Sequence, residues 1–346
     1  MPRRPRVSAG QRRFIVVGGV PAPLGGVTTF LRRMLFAETC AIEMLVDIYP
    51  GRKEKIGEGI DRKILHLGSR LAFIAWFIRN ARWTKQFAMF FNFSRLGALA
   101  LVIALPKPRG SHWRLMLHHG ELTGGRATRL IARRVLRRMD MVYALSKRQR
   151  HVYFALGVPA HRICETKSYC PPIPLPPDPE AERVVSYLRA EFGKVLMMSG
   201  LPSPIYNFQM AIDVFASDIP SQSCLVICTY GPGPMREKLR AAAQRYRNVI
   251  VCEDKGEAFF NTLLRNADTY LRLNSRDSFG IAVADAVVMG VPAIATDVCE
   301  RFPGATIVNL DEITRDPDLL TKSVQAECCV TASAAGVQTF ALHTGA

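Results

Sequence analysis

Residues 275–297 read SRDSFGIAVADAVVMGVPAIATD, and the succession of residue types in them decides the fold. Ser275 to Gly280 supplies turn and capping residues, Ile281 to Met289 has helix-forming composition ending at Gly290, and Val291 to Ala295 is a short apolar run entered through Pro292. Loop, helix and buried strand in that order make one αβ step of a parallel sheet. Asp277 and Asp285 flank the helix start, with Gly280 between them. A glycine lets backbone approach a ligand closely, the free N–H groups and dipole of a helix N-terminus attract phosphate, and carboxylates accept hydrogen bonds from hydroxyls. The block therefore suits a ligand that carries both phosphates and hydroxyls. The competing reading makes Asp277 a helix cap and Asp285 a solvated helix residue.

Working outward, the same alternation continues on both sides. Val195–Gly200, Leu225–Tyr230, Asn248–Cys252 and Thr269–Leu273 read as buried strands, with helical stretches from about Met235 to Tyr246 and from Phe259 to Asn266. Residues 171–179, PPIPLPPDP, hold six prolines in nine and read as a stiff, extended linker. Before the linker, Phe14–Gly18 is a first strand. Gly25 and Gly26 lie in a glycine turn leading to a helix near Phe30, a place where a phosphate or sugar can approach. Met89–Phe93 and Met141–Leu145 are further strands, Leu96–Leu105 is a helix or buried segment, and Arg114–Gly120 is a strand ending in His118 and His119. Strand ends are where doubly wound sheets put their sites. Adjacent side chains of a strand face opposite ways, so one of the two histidines is expected to be structural.

At 346 residues and 49% hydrophobic, the chain can form two cores of ordinary domain size. Its nine cysteines show no paired C-x-x-C spacing, and no apolar signal sequence follows the basic start, which together predict reduced thiols in a cytosol. The longest apolar run, Leu96 to Leu105, is too short to span a bilayer, which needs about 20 residues. Charge is uneven: residues 1–150 hold 29 Lys+Arg against 8 Asp+Glu, whereas residues 151–346 hold 17 against 21. Arg126, Arg129, Arg133, Arg134, Arg137 and Arg138 recur along one helix, with Leu130, Ile131 and Val135 read as its apolar side, and Arg70, Arg79, Arg82 and Lys85 flank Leu71–Ile78. Such a basic amphipathic surface predicts contact with anionic lipid headgroups; solvated helix faces are the bland alternative. Nucleic acid is disfavoured, because RNA-stacking, zinc-finger and homeodomain patterns are absent.

The block that opened this section resembles the donor-site signature of family 4 retaining glycosyltransferases (glycosyl transferases group 1), in which two glutamates with seven residues between them run into an EA-x-A-x-G-x-P-V-I-A-x-D pattern. Asp277, Phe279, Gly280, Asp285, Ala286, Gly290, Pro292, Ile294, Ala295 and Asp297 match it, with Asp at both acid positions. The resemblance implies an α/β chain of the GT-B fold: two Rossmann-like, doubly wound domains facing an interdomain cleft. Residues 1–175 would be the acceptor-side domain, 176–330 the donor domain and 331–346 an irregular tail. It further implies that Gly280 and Ile281 hold the distal phosphate of a nucleotide-diphosphate sugar, Asp285 the ribose and Asp277 the transferred sugar. Gly25, Gly26 and His118 or His119 would close the site, and Gly200, Arg276 and Phe279 would complete the donor-binding set. In the family an arginine and a lysine follow the strand that ends at Gly200, whereas Leu201–Phe208 contains neither. Arg276 is the first candidate to replace them, with Lys255 or a cation of the first domain behind it.

The implied reaction transfers a sugar, with retention and without a metal or other cofactor, to a saccharide or lipid-linked acceptor in polysaccharide or glycolipid biosynthesis. The expected location is cytoplasmic, with a peripheral hold on the inner face of the membrane. A GT-B sugar-nucleotide epimerase and a non-catalytic scaffold that lost the phosphate-binding cations are the alternatives.

Overall fold

The structure, a computed structural model, describes residues 13–20, 26–37, 41–51, 60–93, 98–118, 125–216, 223–277 and 279–327. Contacts divide the chain into two compact units between Cys170 and Pro171, five residues before the boundary read from the sequence. The expected tail, 331–346, lies outside the described residues.

The first unit opens with β1 (Phe14–Gly18), α1 (Gly26–Ala37), β2 (Ile42–Asp47) and β3 (Ile64–His66). Helices α2 (Arg70–Arg79) and α3 (Ala81–Thr84) return the chain to β4 (Ala88–Phe93). Then α4 (Leu99–Ala104), β5 (His112–Leu117), α5 (Arg126–Leu136), β6 (Met141–Ala144), α6 (Lys147–Ala155) and β7 (Ile163–Glu165) follow in strict alternation. Seven parallel strands lie in the order β3-β2-β1-β4-β5-β6-β7. All five residues of β1 and all six of β4 are buried, which is why both read as continuous apolar runs: a parallel sheet is covered on both faces.

Two sequence expectations for this unit are corrected. Helix α5 buries Ala132, Val135 and Leu136, whereas Leu130 and Ile131, read as part of its apolar side, are 68% and 38% exposed. Arg138 does not stand on the solvated face either. Its guanidinium donates to the carbonyls of Val102, Ile103 and Leu105 and lies over the Trp113 ring at 5.0 Å, so it satisfies the open carbonyls at the C-terminus of α4.

The second unit begins with residues 171–178, which have no regular structure, and α7 (Pro179–Glu191). The last proline of the linker is the first residue of that helix. Asp178 caps it, accepting from the N–H groups of Glu180 and Ala181 at 2.9 and 3.1 Å. Proline at this position costs nothing, since its missing N–H would have no helical partner. The unit continues through β8 (Lys194–Gly200), α8 (Phe208–Phe215), β9 (Ser223–Thr229), α9 (Arg236–Arg245) and β10 (Val249–Glu253). It then passes through α10 (Glu257–Arg265), β11 (Thr269–Arg272), α11 (Ile281–Val288), β12 (Ala293–Thr296) and β13 (Thr306–Val308), and finishes with α12 (Leu310–Arg315) and α13 (Asp318–Glu327).

Its six parallel strands are ordered β10-β9-β8-β11-β12-β13. Successive residues of β8 serve opposite cores. Val195 and Met197 join the cluster built with α7, α10 and α11, and Leu196 and Met198 the one built with α8, α9 and α13. In each sheet the winding direction reverses once, between β1 and β4 in the first and between β8 and β11 in the second. Open α/β sheets bind ligands outside the carboxyl ends of the strands at such reversals.

Candidate functional site

At the reversal in the second unit, the last residue of β11 is Arg272, and its Nη1 donates across to the carbonyl of Ser199 on β8 at 3.0 Å. Its Nε donates to Asp277 Oδ2 at 2.9 Å, and the guanidinium lies 5.0 Å from the centre of the Tyr206 ring. Asn274, with its amide oxygen turned toward Arg272, accepts from Nε and Nη2 at 3.1 Å each. A second cation, Arg301, follows β12. Its Nη1 meets the same Asp277 oxygen at 2.7 Å, while Nε and Nη2 donate to the carbonyl and hydroxyl of Thr296, the last residue of β12, at 2.9 and 3.3 Å.

One carboxylate is thus held by two guanidiniums, and all three side chains are largely out of water, with exposures of 12% for Arg272, 9% for Asp277 and 2% for Arg301. Burial by itself would raise the pKa of Asp277, but the charges and hydrogen bonds of Arg272 and then Arg301 outweigh it and bring the pKa down to about 2. These three side chains carry two positive charges and one negative.

The N-terminus of α11 stands beside this cluster. Gly280 is its N-cap residue, at φ +79°, and brings no side chain of its own to cap the helix. Asp277 stands three residues before that N-cap position. A Cβ at Gly280 would come within 2.9 Å of Arg301 Nη1 and 3.2 Å of Asp277 Oδ2, so only glycine fits both the backbone angle and the space. Ile281 is the first residue of α11, and Phe279 is buried edge-on against Phe302. Asp285, on the second turn, is 1% exposed. The reading of Asp285 as a solvated surface residue is thereby excluded.

Asp277, Phe279, Gly280 and Ile281 thus lie together with Arg272 and Arg301, and Asp285 follows one turn along α11. Arg276 is exposed on the same loop, and the guanidiniums on Asp277 belong to other residues. Lys255 is paired with Glu180 at 2.6 Å. Gly200 ends β8, where a Cβ would lie 1.9 Å from the Tyr206 ring; its want of a side chain is what lets that ring lie over Arg272.

Arg272 and Arg301 were not singled out in the sequence. Arg272 carried a usable signal, since it lies next to last in the predicted strand 269–273, near the kind of position that drew attention to the histidines of the first unit. Arg301 carried none: it follows β12 in an irregular stretch, and its part depends on folding back to Thr296.

In the first unit, His118 follows β5 and is 7% exposed. Its Nε2 lies 3.0 Å from Asn92 Oδ1 on β4, and its ring meets Phe30 of α1 edge-on. Burial lowers its pKa to about 3, so the ring is neutral at physiological pH. Gly26 is the exposed first residue of α1, while Gly25 and His119 lie outside the described residues. Among the described residues no group of three His, Cys, Asp or Glu could hold a metal ion.

With this geometry in place, comparison with known proteins is informative. The family profile described as "Glycosyl transferases group 1" matches residues 193–323, a span running from β8 to α13 that contains every member of the cluster. The second unit thus carries the group 1 glycosyltransferase pattern over residues 193–323. Among solved structures, Anabaena HepE in complex with UDP-glucose is similar at a TM-score of 0.65 and 12% identity, covering 91% of each chain. The sucrose-phosphate synthase of Thermosynechococcus elongatus gives 0.62 and 14%, covering 92% of this chain and 94% of that one. The lipopolysaccharide outer core galactosyltransferase WaaB in its apo form gives 0.58 and 15%, covering 91% of both. No curated protein sequence matches. The structural likenesses establish that the chain has the GT-B fold of two doubly wound sheets.

Proposed function

We propose that this chain is a glycosyltransferase that transfers a sugar, with retention of configuration, from a nucleoside-diphosphate sugar to a saccharide acceptor, free or carried on a lipid at an anionic membrane surface. The observation that carries the reading is the buried Arg272–Asp277–Arg301 cluster at the β8/β11 reversal, next to the start of α11 at Gly280. A diphosphate needs charge and N–H donors, and arginine supplies both in a geometry matched to phosphate oxygens. The cations missing from 201–208 are thus supplied from β11 and the stretch after β12. That favours a catalytic role over the non-catalytic scaffold. As the sugar leaves, negative charge grows on the diphosphate, and donors fixed in advance stabilise it without reorganisation. Asp285 takes the ribose hydroxyls. Asp277 orients the two arginines and addresses the transferred sugar.

UDP-glucose heads the donors to test, because it is the ligand of the similar HepE structure. The test is a panel of nucleotide sugars with and without saccharide and lipid-linked acceptors, reading product and anomeric configuration by NMR. Transfer to an acceptor with the donor's configuration kept is expected. Hydrolysis or epimerisation irrespective of acceptor, or an inverted product, would overturn the reading.

A further inference from the structure

Helices α2, α4, α5 and α6 contribute Phe73, Phe77, Leu99, Val102, Val135, Leu136 and Tyr153 to one core cluster, so all four cover the same face of the first unit's sheet. Helix α4 packs against both α2 and α5. The outer surface of this layer is unusual in two respects. First, α2, α5 and α6 together contain no Asp or Glu, and their cations point outward: Arg70, Arg79, Arg126, Arg129 and Arg133 are all exposed. Second, large apolar side chains stand among those cations, with Leu71 78%, Ile78 55%, Leu130 68% and Phe154 64% exposed. On α2 the exposed apolar positions 71, 75 and 78 share one stripe, opposite the buried Phe73 and Phe77.

We propose that this face is a docking surface for an anionic lipid bilayer, with Leu71, Ile78, Leu130 and Phe154 entering the headgroup–acyl boundary and the arginines meeting lipid phosphates. Cations alone would serve a nucleic acid equally well. Aliphatic and aromatic side chains more than half exposed would not, since a phosphate backbone gives them nothing to bury against, whereas a membrane interface does. The apolar and basic groups are interleaved, and that matches a surface that is both anionic and apolar just beneath. The docking is a property of the first unit's surface and stands whatever donor the second unit takes.

The test is co-sedimentation of the full chain with vesicles of phosphatidylcholine alone and of phosphatidylcholine with roughly one-third phosphatidylglycerol, over a salt series. Binding at least about tenfold stronger to the anionic vesicles, weakening as salt rises, is expected. Leu71→Ser/Leu130→Ser/Phe154→Ser and, separately, Arg129→Glu/Arg133→Glu should each lower the partition coefficient by about tenfold or more with an unchanged melting temperature. Should the triple variant unfold, Leu130→Ser alone is the readout, with about a threefold loss expected. Equal binding to both vesicle types, full affinity in the serine variant, or tighter binding to duplex nucleic acid than to anionic vesicles at the same salt would each overturn the proposal.

Discussion

At the residue scale, Asp277 illustrates how a buried charge is kept. Two guanidiniums share one of its oxygens, so removing its charge leaves Arg272 and Arg301 facing each other out of water. Asp277→Asn is therefore expected to cost about 3 kcal/mol of stability in denaturant unfolding, in addition to any loss of turnover, because an unpaired buried charge is worth far more than the pair. A variant as stable as wild type would show that solvent screens the cluster. His118 gives a second residue-scale prediction, with a sign. Its folded pKa, about 3, lies below the ordinary histidine value of 6.5. The unfolded chain therefore binds the proton more readily, and stability is lost as pH falls through 6.5 toward 3. Between pH 7 and pH 5 the loss from this group should be about 2 kcal/mol, and His118→Gln, which can still bond Asn92, should remove it. Asp277, with its pKa depressed, acts in a lower window: its stabilisation is present above its ordinary value and is lost as pH falls toward 2. Unfolding curves at pH 5, 6 and 7 separate the two. An unchanged slope in His118→Gln would refute the assignment.

At the element scale, the strands and helices of the second unit were legible because each of its two sheet faces is covered. Residues of β8 alternate between two cores, so the whole strand is apolar, and α11 starts where the turn residues 275–280 end. What the sequence did not disclose depends on contacts distant in the chain. The face that α5 buries was misjudged, because Leu130 and Ile131 look like core residues until the smaller Ala132 is found inside. Arg138 looked like one more surface cation, although its role is to terminate α4, more than thirty residues earlier. That distinction is testable. Arg138→Ala should destabilise the protein by about 2 kcal/mol, having removed charged hydrogen bonds to three carbonyls, while Arg133→Ala, one turn away and exposed, should change stability by less than about 0.5 kcal/mol. Equal effects would mean that Arg138 is no more than a surface charge. The loop Ser275–Gly280 carries a third case, since Gly280→Ala must adopt a positive φ and meet Arg301 at once. A loss of about 1–3 kcal/mol together with weakened nucleotide binding is expected.

At the scale of the whole molecule, two units with the same winding pattern place their sites at equivalent points, the single reversal in each sheet. The first unit presents Asn92 and His118 near its reversal, and the second presents Ser199 and Arg272. The GT-B fold was legible from the alternation of strands and helices and from the block 275–297. The cations were not, because Arg272 and Arg301 converge on Asp277 only after β8, β11 and β12 lie side by side. The central claim is that this convergence holds a nucleoside diphosphate. Calorimetric titration of UDP, GDP and ADP, each against its own nucleoside, into wild type and Arg272→Gln tests it most directly, with melting temperatures recorded on the same preparations. The account predicts that one diphosphate binds wild type at least about tenfold tighter than its nucleoside, and that Arg272→Gln narrows the gap by about tenfold or more while nucleoside binding holds. A diphosphate bound no tighter than its nucleoside, or a gap unchanged in a folded Arg272→Gln protein, would contradict it.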